Sequence, residues 1–516
     1  MLYFPLITLG VLDTARTERR IHEFARKPMI APLGQRGSAE HSSLRTGDPR
    51  KWWVLFSVAF GAFMAPLDSS IVNTVLPIIA GEFRADVLVI EWVVLAYLLS
   101  LSSLLLIGGR LGDLVGHKPL FIAGFALFTF SSMLCGLAWG VWSLIASRVL
   151  QAVGGAMMIA IGPAILTRSF PASQRGRALG IQASVVYIGL TVGPGLGGAI
   201  ASAWGWRWVF FINFPIGILA IGVALSVLRM EKKSELAARF DFAGAISFML
   251  ALFALVLGLS RGAASGWTSD LIWITAAVFA VAAIVFIRTE LHISHPFFDI
   301  RLFRQRFFAA ATTSAMLNYM ATSTTAFLTP FFLIQGNQMT PGRAGFLLMA
   351  MPLVMAAVAP MSGWLSDHIG SRIPTVSGMG CLALGMFLMG QLDSSGVDRQ
   401  IALRLGLVGL GIGLFTTPNN SAIMGAVPYT HQGLGSGIVA TARTMGNVLG
   451  VAVSGSLFGS ELQRLFTIFG REPVAVTGAY RHSMTIGAAI ALAGAFTSVI
   501  RGRATWKKRF NGKKDS

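Results

Sequence analysis

The chain has 516 residues, 54% of them hydrophobic and 12% charged, with a formal net charge of +19 and a mean hydropathy of +0.68. That balance excludes a soluble globular domain. The basic excess could suit nucleic acid, but in so apolar a chain it is read as the bias of connections on one side of a bilayer, so no nucleic-acid partner is expected.

Residues 1–50 form a basic N-terminal extension (Arg16, Arg19, Arg20, Arg26, Lys27, Arg50). Its opening MLYFPLITLGV is too short to span a membrane and lacks the basic start of a secretory signal, so the segment is read as a mobile cytoplasmic arm. Fourteen apolar stretches follow, of the length that crosses about 30 Å of hydrocarbon. They are 53–78, 88–108, 119–138, 141–165, 178–202, 208–228, 241–260, 271–287, 308–333, 344–364, 373–392, 402–424, 434–458 and 482–500. Bases crowd the extension, the connections at Arg168, Arg175 and Arg177 and at Arg301, Arg304 and Arg306, and the tail 501–516, whereas 139–141 has none and 203–207 only Arg207. An even span count puts both termini on one side, and this bias makes that side cytoplasmic. The two cysteines, Cys135 and Cys381, lie inside spans, so neither a disulfide framework nor a metal site is expected.

The first span holds LDSSIVNTVLP (67–77), and with it Asp68, whose carboxylate in mid-span costs about 2.5 to 3.5 kcal/mol on insertion scales. Two readings account for it: a structural acid bonded to backbone freed by Pro66 and Pro77, or a site that loads and releases a proton. After the second span comes GRLGDLVGHK (109–118), where Gly109 and Gly116 would let helix ends approach and Asp113 would accept from bases such as Arg110. With Lys118 this segment reads as a latch between helix ends, against an ordinary charged turn as the alternative. The fourth span brings RVLQAVGGA (148–156). At about 1.5 Å per residue, Asp68 lies roughly 16 Å and Arg148 about 12 Å below the same surface, so the two are expected to pair, directly or through water and Gln151.

In the fifth span, GLTVGPGLGG contains a G-x-G-x-x-G pattern, but no strand precedes it and no βαβ unit follows, so a dinucleotide is excluded. What remains is a bare face from Gly189, Gly193 and Gly197, beside Gly198, for a closely packed neighbour, with Pro194 removing a donor and bending the helix. WGWRWVFFINFPIG (204–217) enters the sixth span. Asn73, Trp92, Tyr97, Asn213, Asn419 and Asn420 are the polar and aromatic candidates for a central cavity. Glu91 and Asp270 are placed at span ends, so selection for dications is not expected.

A repeat of long period divides the chain. GRLGDLVGHK returns as GWLSDHIGSR (363–372), with Asp367 in the place of Asp113, at an offset of 254. Arg148 and Arg404 open glycine-rich stretches at the same place in span order, and Gly189, Gly193 and Gly197 return as Gly446, Gly450 and Ser454. Repeated halves that bind substrate between them are a property of secondary transporters. The expected domains are 51–230 and 301–500, each of six helices, around a two-helix insert at 231–300.

In this order the motifs resemble the major facilitator superfamily, and within it the fourteen-span drug:proton antiporter family of the EmrB/QacA type, over about residues 50–500. The resemblance implies an all-α polytopic membrane protein in which Asp68, with Arg148 and Gln151, couples proton movement. It makes Gly189, Gly193, Pro194, Gly197 and Gly198 the antiporter motif, and Gly109, Arg110, Asp113, Gly116, Lys118 and Asp367 a cytoplasmic latch. The family's loop has Arg where this chain has Leu114 and His117, so its full charge network does not carry over. A proton gradient in place of any cofactor, small lipophilic substrates and the cytoplasmic (inner) membrane are implied, with a periplasmic adaptor protein where the cell has an outer membrane. Export of an endogenous metabolite or siderophore is the rival, with proton symport behind it. No H-E-x-x-H, G-x-S-x-G or Walker sequence supports an enzyme.

Overall fold

The structure, a computed structural model, describes residues 49–229, 242–266, 268–292, 300–393, 397–427 and 432–501. Residues 1–48 of the expected arm, most of the tail and much of the connection into the insert lie outside them. The described chain runs back and forth as fourteen helical spans. In the first six, α1 is Arg50–Phe83; α2 is Val87–Ile90 continued by Trp92–Val115; α3 is His117–Gly136; α4 is Val141–Ser169; α5 is Ala172–Trp204; and α6 is Trp208–Phe211 continued by Asn213–Val227. The insert is α7 (Phe242–Ser265) and α8 (Asp270–His292). The last six are α9 (Arg306–Phe331), α10 (Pro341–Leu348 continued by Ala350–Ile369), α11 (Arg372–Gly390), α12 (Asp398–Ala426), α13 (Gln432–Phe469) and α14 (Glu472–Ile500).

Twelve of the spans are long and apolar enough to cross a membrane. The other two, α9 and α13, are more polar: α9 carries Thr312, Ser314, Asn318, Ser323, Thr324, Thr325 and Thr329 in buried positions, and α13 carries Arg443. Exposed tryptophans mark two levels of the helical body, Trp52 and Trp53 where α1 begins, and Trp139, Trp204, Trp208 and Trp273 at the opposite end. These are the anchoring positions of rings at a membrane–water interface.

The two groups of six repeat one packing scheme: α1 lies along α5 as α9 lies along α13, α3 on α4 as α11 on α12, and α2 on α4 as α10 on α12. The insert does not separate the groups, for α7 packs outside them against α2 and α13. Gly116 and Gly370 end α2 and α10 at φ +105° and +82°, a region open to glycine, so both copies of the loop motif turn by the same device. Below, "far end" means the end holding the α1–α2 connection, and "near end" the end holding Arg50 and Arg501.

Candidate functional site

Asp68 sits near the middle of α1 and is buried, as is Arg148 on α4. The Arg148 guanidinium donates through Nη1 to Asp68 Oδ2 and to Gln151 Oε1 at 2.6 Å. Asp68 Oδ1 accepts from Gln151 Nε2 at 2.9 Å and from Asn213 Nδ2, on α6, at 2.9 Å. Asn213 also reaches Ser132 Oγ on α3 at 3.0 Å, and Arg148 Nε points to the Val93 carbonyl of α2 at 3.4 Å. The guanidinium carbon lies 3.9 Å from the centre of the Tyr97 ring. The expected Asp68, Arg148 and Gln151 are thus brought together, and Asn213 and Tyr97, expected in a cavity, belong to this network instead. Two helical turns of sequence or more separate Asp68 and Arg148 from their respective far-end loops, which is why regular helical rise places them at one depth.

One residue further along α1 the surface changes. Ser69, Ser70 and Asn73 line a central cavity of about 290 Å³ between the two groups of six. Its polar lining comes from Tyr187 on α5, Tyr319 and Thr322 on α9, and Arg443 and Asn447 on α13; Pro194, Pro330 and Met351 are among its apolar walls. Neither Asp nor Glu is among its described lining residues. Asn73 is the one expected cavity residue found there. Trp92 instead packs on Phe253 of the insert, ring centres 5.9 Å apart, and Asn420 is half-buried outside the lining. Asn419 fastens the near end of the last six helices: it donates to the Ala311 carbonyl at 3.0 Å and accepts from Arg501 Nη1 at 2.8 Å. Burial, and then the like charge of Arg372, pulls the Arg501 guanidinium down to about 10, so it stays charged at neutral pH. The sequence reading missed Arg443, although a lone base in an apolar stretch is a signal.

At the far end the two groups of six meet along two seams. In the first, α5 meets α10: a Cβ on Gly198 would fall on the Pro341 carbonyl, and one on Gly345 on the Pro194 carbonyl. Ser202 Oγ accepts from the Gly342 N–H across it at 2.9 Å. In the second seam α13 meets α2, with Gly459 against Leu88 and Gly455 against Glu91. Most of the α5–α10 contact lies in Pro341–Leu348, the far-end part of α10. The glycine-rich stretch of α5 therefore has two faces. Gly189, Gly193 and Gly197 pack on α1, at Phe63, Ser70 and Ile71, within the first six helices. Pro194 and Gly198 point the other way, at the seam.

Glu91 lies at the start of α2, at the span end where sequence places it, and is fully buried: Ser260 of the insert donates to its Oε1, and its Oε2 has no partner among the described residues. Its backbone stays helical, at φ -58° and ψ -27°, so Val87–Ile90 and Trp92–Val115 continue one into the other. In the loop motif, a Cβ on Gly109 would meet nothing within 4 Å among the described residues, and one on Gly116 only Pro119, so neither glycine serves close approach to a described neighbour. That role falls to Gly108 and Gly112, which face Ala156 and Ile161 of α4. Lys118 caps α6, donating to the carbonyls of Leu225 at 2.9 Å and Leu228 at 2.6 Å. Asp367 is exposed at the end of α10, and the side chains of Arg110 and Asp113 lie outside the described ones. No group of three His, Cys, Asp or Glu residues fit to hold a metal occurs among the described residues.

Residues 58–450, and again 311–515, match the Major Facilitator Superfamily. The chain belongs to that superfamily. It is 34% identical over 414 residues to the riboflavin transporter RibZ of Clostridioides difficile, covering 80% of this chain and 89% of that one. It is 34% identical over 409 residues to the multidrug resistance protein Stp of Mycobacterium tuberculosis, covering 79% and 76%. Among solved structures, a bacterial homologue of the human lysosomal transporter Spinster, in an inward-facing and unoccupied conformation, superposes with a TM-score of 0.68 at 16% identity, over 89% of this chain and 98% of that one. The protein is a multi-pass membrane transporter of that superfamily, not an enzyme.

Proposed function

We propose that this transporter exports small lipophilic compounds across the cytoplasmic membrane in exchange for protons, with both termini, and hence the near end, cytoplasmic. The observation that carries the reading is the buried network of Asp68, Arg148, Gln151 and Asn213 one residue from the cavity wall. Asp68 accepts a proton and becomes neutral; Arg148 then loses its counter-charge, and the network that joins α1, α4 and α6 loosens. Loss of the proton restores the pair. Coupling follows because the same stretch of α1 presents Asp68 to the network and Ser69, Ser70 and Asn73 to the substrate. The six-helix groups, 51–230 and 301–500, act as the two bodies that rock about the cavity, with 231–300 as the insert. Far-end seams closed on bare glycine backbone fit a cavity that fills from the cytoplasm.

A cavity of about 290 Å³ is at the small end for drug-sized ligands. Its described lining, with Arg443 and no carboxylate, favours neutral or acidic aromatic compounds over dications. The resemblance to a riboflavin transporter supports a second reading, export of an endogenous metabolite, through the same cavity. The decisive experiment gives inverted membrane vesicles a pH gradient and follows a panel of fluorescent compounds, wild type against Asp68→Asn. Proton-driven uptake into the vesicles is expected from wild type, and none from Asp68→Asn present at the same level. Normal transport by that variant would sink the assignment of Asp68.

A further inference from the structure

The two far-end seams are copies of one another. An offset of 254 carries the first turn of α2 onto that of α10 and Glu91 onto Gly345, and an offset of 257 carries Gly198 of α5 onto Gly455 of α13. The pair Gly198 with Gly345 is therefore repeated as Gly455 with Glu91. In one seam backbone meets backbone. In the other a carboxyl group stands where the copy has only a hydrogen, and the α13 backbone at Gly455 leaves room for nothing more, since a Cβ there would fall on Glu91 Oε2.

Three parts of the chain enclose this group. Glu91 comes from the first six helices, Gly455 from the last six, and Ser260, which donates to Oε1, from the insert. Phe327 of α9 closes the same space, within 3.5 Å of a Cβ at Gly455. The charged group that acts on Glu91 among the described residues is Arg261, next to Ser260 on α7; from α13, Gly455 faces Glu91 and Gly459 faces Leu88. Glu91 does not touch the Asp68 network and does not line the cavity, so the proposed transport step leaves it unused.

We infer that Glu91 is a second proton-binding site, which holds a proton while the α2–α13 seam is closed and gives it to the outer water when the seam opens. The outer placement of this seam rests on the orientation given under Proposed function. An ionised carboxylate enclosed with one hydroxyl donor and an unpartnered oxygen is costly to keep, whereas the neutral acid is accommodated. When α13 moves off α2 the carboxyl meets water and ionises, with Arg261 beside it. One proton leaves to solvent, one negative charge appears, and no other reactant takes part. Because the closed seam is the protonated one, acid outside favours closure, and that preference is lost as the outer pH rises.

The test uses the full chain in intact cells, with Cys381→Ser and a reporter Thr74→Cys on the cavity wall, in an Asp68→Asn background. Cys135 is fully buried and stays. Labelling by a membrane-impermeant maleimide added outside is followed as outer pH is varied, each rate divided by that of a cysteine in an unfolded peptide at the same pH. The corrected rate should rise with pH by up to about tenfold per unit, the limit for a single proton. Adding Glu91→Gln should leave it low and flat. Adding Ser260→Ala instead, which leaves the acid but takes a donor from its ionised form, should displace the curve to higher pH. A flat curve before Glu91 is changed, a slope that survives Glu91→Gln, or a curve that Ser260→Ala does not move would each overturn the proposal. Asp68 is neutralised throughout, so none of these results bears on its role.

Discussion

Replacing Gly345 by alanine should act as a wedge in the α5–α10 seam. The added Cβ would overlap the Pro194 carbonyl oxygen and lie 3.0 Å from Gly198 Cα and 3.2 Å from the Pro194 carbonyl carbon. Ordinary carbon contacts are about 3.5 to 4.0 Å, so α10 must retreat by about 0.5 to 1 Å. Overpacking of this kind costs roughly 1 to 3 kcal/mol, and here it falls on the closed seam alone, because α5 and α10 part when the seam opens. The open-to-closed ratio should rise by about 5- to 150-fold. The assay is the rate at which an outside, impermeant maleimide labels a cysteine at Thr74 in the Cys381→Ser protein. Gly189→Ala is the control: its Cβ would lie 2.9 Å from the Phe63 carbonyl of α1, a contact within one six-helix group that is strained equally in both states. That variant should melt earlier but label like wild type. Equal labelling of the two variants, or wild-type labelling of a well-expressed Gly345→Ala, would refute the view of these glycines as a gate.

Three other outcomes follow from the geometry, beside that given for Asp68→Asn. Arg148→Lys keeps the charge but loses the planar fork that serves Asp68 and Gln151 together and lies over Tyr97, so initial transport rates should fall by at least about tenfold with protein levels maintained. Arg443→Gln should raise the apparent KM for an acidic fluorescent substrate by about tenfold or more, the scale of a hydrogen bond to a charged group, and leave a neutral one of similar size unchanged. Lys118→Met removes the donor to two α6 carbonyls, each worth about 0.5 to 1.5 kcal/mol; the detergent-solubilised protein should melt earlier while transport per folded molecule holds.

What the sequence disclosed follows from which quantities are regular. Axial rise is regular, so residue counting alone sets Asp68 and Arg148 at one depth, and the apolar stretches fall near the observed helices. Rotation about each helix axis is not given by composition, and there the reading failed: Tyr97 and Asn213, expected in the cavity, turn toward Arg148 and Asp68, and Trp92 turns toward the insert. Arg443 escapes notice when α13 is read for its glycines. Glu91 is legible as an acid at a span end, but its burial is not, because it comes from the arrival of α7 and α13 around it, both remote in sequence. In the loop motif glycine is the right residue type to single out, but which glycines touch α4 depends on rotation, and Gly108 and Gly112 do so rather than Gly109 and Gly116.

The polarity of α9 and α13 also bears on how the protein is made. Apolar spans partition into the bilayer as they emerge, but a helix with buried Thr312, Ser314, Asn318, Ser323, Thr324, Thr325 and Thr329 has little tendency to do so alone. The helix that covers it, α13, begins at Gln432, about a hundred residues after α9 ends at Phe331, which at cellular synthesis rates is a delay on the order of 10 s. During that interval α9 must be held by the insertion machinery or by spans already in place. A chain truncated after α12 should accordingly leave α9 poorly integrated, while one extended through α13 should not, so these two helices enter the membrane as a pair.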